Sequence, residues 1–311
     1  MRMKIAIPLI AAAVLSLCTH AYSLIGAGLH YGIDNSIGMD DAIIFQEPVA
    51  LLSEPLPFSI SGESIEIATS FPLMYVTRFN FERTPINFGG KIFLDALPLV
   101  DGVEVSMNFG VWQYSGAVRF FDFATFTDLD QTGIQGVLEN PNEQDYYAEQ
   151  ELTLEALDIS YWGMKKTPYA RLHVDLNVRK NVVKFPPVVN ILKVYAGGGL
   201  SMNFSTPVLS AKLIEDVLAK QHDLDVAFFQ NLSDLENPEA IWGDVLGKIT
   251  DGLAKPVIGM NVMAGVQLKL PVVPVGLYAD AKVLIPFASL DEYVEVGGIG
   301  FLLNTGISLS F

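Results

Sequence analysis

GGIGFLLNTGISLSF, residues Gly297 to Phe311, sorts its side chains into two kinds. Ile299, Phe301, Leu303, Thr305, Ile307, Leu309 and Phe311 fall on one face of an extended strand. Gly298, Gly300, Leu302, Asn304, Gly306, Ser308 and Ser310 fall on the other. Successive side chains of a strand point to opposite faces, so this is an apolar wall backed by a small, mostly polar one. Ordinary strands run about 5–6 residues; this one is far longer. A long strand with one greasy and one wet face suits a tilted crossing of a bilayer within a closed barrel.

At these residues the chain resembles the bacterial outer-membrane β-barrel proteins, whose last strand ends in Phe and is read by the assembly machinery. The resemblance is to that class, not to a specific family within it. It implies outer-membrane lipid as the surrounding solvent and the barrel-assembly machinery as a partner through Phe311. The implied location is the bacterial outer membrane.

Composition agrees with lipid-facing alternation. The chain is 50% hydrophobic and 17% charged, with a mean hydropathy of +0.36; soluble domains are nearer about 25% charged. Beyond the first residues there is no run of about 18 apolar residues, so no helical span is expected. The competing reading is an apolar-rich soluble β protein.

Met1 to Ser23 reads as a secretory signal peptide. Arg2 and Lys4 give a basic start, Ile5 to Leu17 an apolar middle, and Thr19 to Ser23 small residues for cleavage. Residues 24–311 then form a single barrel domain. Loss of the leader removes Cys18, the one cysteine, and leaves 17 basic against 35 acidic residues. Nucleic acid is therefore not an expected partner. The acids concentrate in two stretches without Lys or Arg, Asp34 to Thr77 and Phe120 to Met164, which read as long loops.

Alternation recurs at Leu24–Ile33, Leu73–Glu82, Ile86–Ala96, Val103–Val111, Leu157–Trp162, Ala170–Arg179, Leu192–Phe204, Ile258–Leu268 and Val273–Val283. Arg83-Thr84-Pro85 and Thr167-Pro168 read as tight connections, because proline has no N–H for a ladder. From Trp112 to Phe121 the phase is unclear. Residues 205–255 change period. Thr206-Pro207 and Asn237-Pro238 open two amphipathic helices, with stripes Leu209, Leu213, Val217 and Ile241, Val245, Ile249. The fold expected is an all-β, antiparallel transmembrane β-barrel of ten strands, with twelve as the runner-up, and a helical loop insertion. Ten strands put Phe120–Leu152 on the periplasmic side, where links are normally short.

The face opposite the apolar one carries Arg78, Glu82, Lys91, Asp95, Glu104, Arg171, His173, Asp175, Arg179, Lys193, Lys269, Asp280 and Lys282. Lys or Arg facing the bilayer midplane costs about 2–4 kcal/mol, so these groups line the lumen. Two arrangements fit: a polar channel, or a plug of paired charges filling a narrow barrel. No metal-ligand spacing, phosphate loop, GxSxG or HExxH motif occurs, so no cofactor, metal or catalytic residue is expected. His173 beside Asp175 reads as part of an ion-pair network. The function expected is a porin-like or hydrophobic-solute diffusion channel passing a small solute. The alternative is a structural or surface-interaction barrel with acidic loops, and an integral-membrane hydrolase is third.

Overall fold

A computed structural model describes residues 25–35, 56–60, 63–67, 74–95, 100–121, 147–155, 163–186, 191–221, 238–251, 256–270, 273–291 and 298–310. The signal peptide expected over residues 1–23, the Leu157–Trp162 span and Phe311 lie outside them. The strands are β1 (Ile25–Asp34), β2 (Leu56–Ile60), β3 (Glu63–Ile67), β4 (Met74–Leu94), β5 (Gly102–Phe121) and β6 (Tyr147–Glu151). They continue with β7 (Thr167–Phe185), β8 (Leu192–Ser205), β9 (Val257–Lys269), β10 (Val275–Pro286) and β11 (Gly300–Ser310). Two helices, α1 (Ala211–Gln221) and α2 (Pro238–Asp251), lie between β8 and β9.

Eight strands close on themselves. The sheet runs β4-β1-β11-β10-β9-β8-β7-β5, and β5 pairs back with β4. Every ladder in the ring is antiparallel. β6 adds to the far end of β5, and β2 and β3 form a separate hairpin. Closure removes the free edges an open sheet would leave in lipid.

The alternation in the sequence is the alternation in space. Along β1 every second side chain is exposed and every other one buried. Leu29, Tyr31, Ile92, Leu176, Leu200, Leu277 and Ile307 all point outward. A soluble monomer rarely exposes more than a few hundred Å² of contiguous apolar surface, so this band needs lipid against it. β9, β10 and β11 have 13, 12 and 11 residues, enough for a tilted crossing of a core about 30 Å thick.

The ten-strand expectation is corrected to eight barrel strands among the described residues. Leu73–Glu82 and Ile86–Ala96 are not two strands but one, the 21-residue β4. Its ladder with β5 shifts register between Phe79 and Glu82 and again between Arg83 and Asn87, so Pro85 sits in a bulge, not a turn. A bulge tolerates proline because the extra residue has no ladder bond to make. Pro168 likewise lies inside β7, opposite Gln113, and β5 continues through Trp112 to Phe121. With eight strands, the connections leaving β1, β5, β8 and β10 all start at the end opposite the start of β1. The connection leaving β5 therefore starts at the same end as the one leaving β8, not at the opposite end that ten strands would give.

β4 and β5, at 21 and 20 residues, extend past the barrel wall and carry a second core. Met74, Val76, Tyr114 and Val118 of these extensions are buried. So are Leu152, Leu209, Leu213, Ile214, Val245 and Ile249. α1 packs on α2 and β4, and α2 also touches β7. The helix start expected at Thr206-Pro207 is corrected to Ser210, whose Oγ accepts the Leu213 N–H at 3.0 Å as an N-cap. The preceding segment is pinned instead: Asp291 accepts the Val208 N–H at 2.6 Å and Tyr114 accepts that of Leu209 at 2.8 Å.

Candidate functional site: the barrel interior and the seam between β1 and β4

An eight-stranded barrel encloses little more than its own inward side chains. Here those side chains are ion pairs. Lys193 and Arg179, from β8 and β7, both reach Asp95 at the end of β4, the former at 3.0 Å. Arg179 also holds Glu104 at 3.1 Å. Lys91 lies 3.4 Å from Glu104 and 2.8 Å from Asp280. Tyr195 donates to Asp280, and Lys91 sits 3.6 Å from the Tyr278 ring centroid. A second cluster centres on Asp175, which takes Lys282 at 2.7 Å, Asn261 at 3.1 Å and Ser106 at 3.2 Å. No side chain in the lysine, arginine and carboxylate pairs of these two clusters is more than 7% exposed. Charges so placed are stable only when paired and hydrogen-bonded, because each loses several kcal/mol of hydration.

The candidate lumen residues Lys91, Asp95, Glu104, Arg171, His173, Asp175, Arg179, Lys193, Asp280 and Lys282 all face this interior. Lys269 is half-buried at the end of β9, within electrostatic reach of Lys193 and Asp95. The Arg78 side chain lies outside the described residues. Glu82, grouped with them on the inner face, is instead exposed and pairs with Lys166 at 2.6 Å. His173 has Nε2 2.8 Å from Asp175 Oδ1, but off the hydrogen-bond line, so neither ring nitrogen has a hydrogen-bond partner. Arg171 donates to Asn203 and lies 3.9 Å from Asp34.

A list of charged residues leaves out the neutral half of the network. His30 bonds Tyr278 at 2.8 Å, Asn108 bonds Asn304 at 2.9 Å, and Gln267 bonds Ser308 at 3.2 Å, all inside. Their signal was phase: each lies an even number of residues from a charged inward position or on the polar face of its strand. Asp34 was also missed. It reads as the first acid of a loop but is the last residue of β1, buried at 5% exposure.

The join between β1 and β4 is incomplete. β1 pairs with β11 from Gly26 through Asp34, but with β4 only from Ile25 to Tyr31. Beyond the Tyr31–Phe88 pair, β4 bulges through Thr84, Pro85 and Ile86 while β1 continues along β11. A gap of about 150 Å³ opens between them, with Ile33 and Asp34 on one side, Arg83, Ile86 and Asn87 on the other, and Trp112 behind. Arg83 donates to Asn35 across its outer end. On the outer surface of the neighbouring strands, Ala264, Ala279, Ala281 and Thr305 floor a shallow groove of about 500 Å³. Gap and groove both border Tyr31, Gly32 and Ile33.

No protein-family model matches the chain, and no curated protein matches it. Among solved structures it aligns with Neisserial surface protein A (NspA) at 11% identity, covering 92% of this chain and 96% of that one, with a TM-score of 0.30. It also aligns with OmpT, an outer membrane protein of Vibrio cholerae folded in vitro, at 7% identity over 92% and 97% of the two chains, with a TM-score of 0.20. The closed ring of eight antiparallel strands, apolar outside and charged within, makes this chain a β-barrel of the outer-membrane type.

Proposed function

We propose that this is an ion-tight barrel of the bacterial outer membrane whose working surface is its capped outward end, not a water-filled porin. The observation that carries the reading is the pair of buried charge clusters spanning the lumen from Asp95 to Asp175. A conducting pore wants charged walls facing water; here opposite charges face each other across the bore. The second support is the apolar cap built by α1, α2 and the extensions of β4 and β5 at the outer end. The acidic segments 34–77 and 120–164 leave the barrel at that same end. They suit contact with cations or with a basic partner outside the cell. The hydrophobic-solute reading keeps one support, the gap between β1 and β4, since an apolar molecule would enter through the wall and not along the axis.

The test is conductance. The full chain, refolded and inserted in a planar bilayer, is expected to give no steady ion current. A stable ohmic open level would overturn the reading in favour of a porin.

A further inference from the structure

A hole in a membrane-embedded wall has to be filled by something that suits both its sides. The outer lip of the β1–β4 gap is apolar: Tyr31 and Ile33 are 54% and 50% exposed, and Ile86 lies opposite. The inner end is polar, with buried Asp34 and Asn87, while the exposed Arg83 lies at the outer end. Asn87 is 91% buried, its relative exposure being 9%, and its Oδ1 has no hydrogen-bond partner. A buried polar atom left unpaired costs about 1–3 kcal/mol, so this site favours a ligand that supplies the bond.

We propose that the gap binds the head of a neutral, hydroxyl-bearing single-chain amphiphile, with the hydrocarbon tail lying outside in the groove floored by Ala264, Ala279 and Ala281. Size sets the division. The gap holds about 150 Å³, roughly five waters' worth of volume at about 30 Å³ each, which suits a glycerol-sized head. The groove holds about 500 Å³ and is floored by side chains smaller than their outward neighbours Val194, Val266 and Leu303. Charge sets the head. Asp34 and Arg83 line the gap with opposite charges, so the lining has no net charge to select a phosphate or carboxylate. A hydroxyl both donates and accepts, so it satisfies Asn87 whichever way its amide is turned. The site does not depend on the barrel being sealed along its axis.

Trp112 reports occupancy. The full chain carrying Trp162→Phe and Trp242→Phe, refolded in phosphatidylcholine vesicles, is titrated with a monoacylglycerol brominated on its chain. Saturable quenching of Trp112 is expected, with Asn87→Leu and Ala279→Leu each weakening the apparent affinity about tenfold, the equivalent of one lost good contact. Ala279→Leu faces lipid and keeps the test open should Asn87→Leu fail to refold. Quenching that rises without saturation, or that both variants leave unchanged, would overturn the site. Equal quenching by a brominated lysophosphatidic acid would overturn the neutral head.

Discussion

Asp175→Asn should separate a plugged barrel from a water-filled one. The carboxylate is fully buried and balances the Lys282 ammonium at 2.7 Å, while Asn261 and Ser106 bond its oxygens. The amide keeps the shape and removes the charge, leaving the Lys282 ammonium with neutral hydrogen-bond partners such as Ser106 Oγ and no counter-charge. Removing one partner of a buried pair costs about 3–5 kcal/mol, most of it the stranded charge. For urea slopes of about 1–3 kcal/mol per molar, the unfolding midpoint in lipid vesicles should fall by at least about 1 M. Asp175→Leu combined with Lys282→Met removes both charges at once and should return the midpoint to near its starting value, since apolar replacement of a whole buried pair is neutral or stabilising. Intrinsic fluorescence and the gel shift between boiled and unboiled samples both read the transition. A loss under about 1 kcal/mol for Asp175→Asn would refute the reasoning. That is the value of a solvated pair, and it would mean that water fills the bore.

Three further outcomes follow from the same geometry. Leu29→Arg, at the middle of β1 with its side chain 77% exposed to the bilayer, should cost about 2–4 kcal/mol of folding free energy in vesicles, and Leu94→Arg at the strand end only about 0–1. Leu213→Ala removes a fully buried cap side chain and should lose about 2–5 kcal/mol locally; protease should then cut within 205–256 while the barrel stays resistant. Asp101, next to the start of β5, is held below the ordinary aspartate range chiefly by its bond from Lys184 at 3.0 Å, with help from the Asn181 N–H. Its stabilising contribution is present above the ordinary aspartate value and fades as pH falls through the lowered one. Carboxyl titration by NMR should therefore show a depressed midpoint that Lys184→Met returns toward normal.

Much of the wall was readable from periodicity. Arg171, His173, Asp175 and Arg179 alternate with Leu172, Val174, Leu176 and Val178 so regularly that only one assignment of inside and outside was available. Strand count was not readable, because Pro85 and Pro168 signal turns by their chemistry yet occur within strands, at a bulge and near a strand start. The partners of each charge were hidden too. Lys91 meets Asp280 across 189 residues of sequence, a contact that only closure of the ring creates. The seam was invisible for the same reason: nothing in Gly32 or Ile86 alone says that their strands part company.

The first and last strands are neighbours, Gly26 lying opposite Ser310. Until β11 arrives, the growing sheet carries two raw edges, on β1 and β10, each a template for a wrong partner. Closure is thus the contact of greatest chain separation and the slowest to find. A polypeptide shortened before Gly300 would hold seven of the eight ring strands yet have no way to complete the circle. It should accumulate as aggregate, not as a smaller barrel.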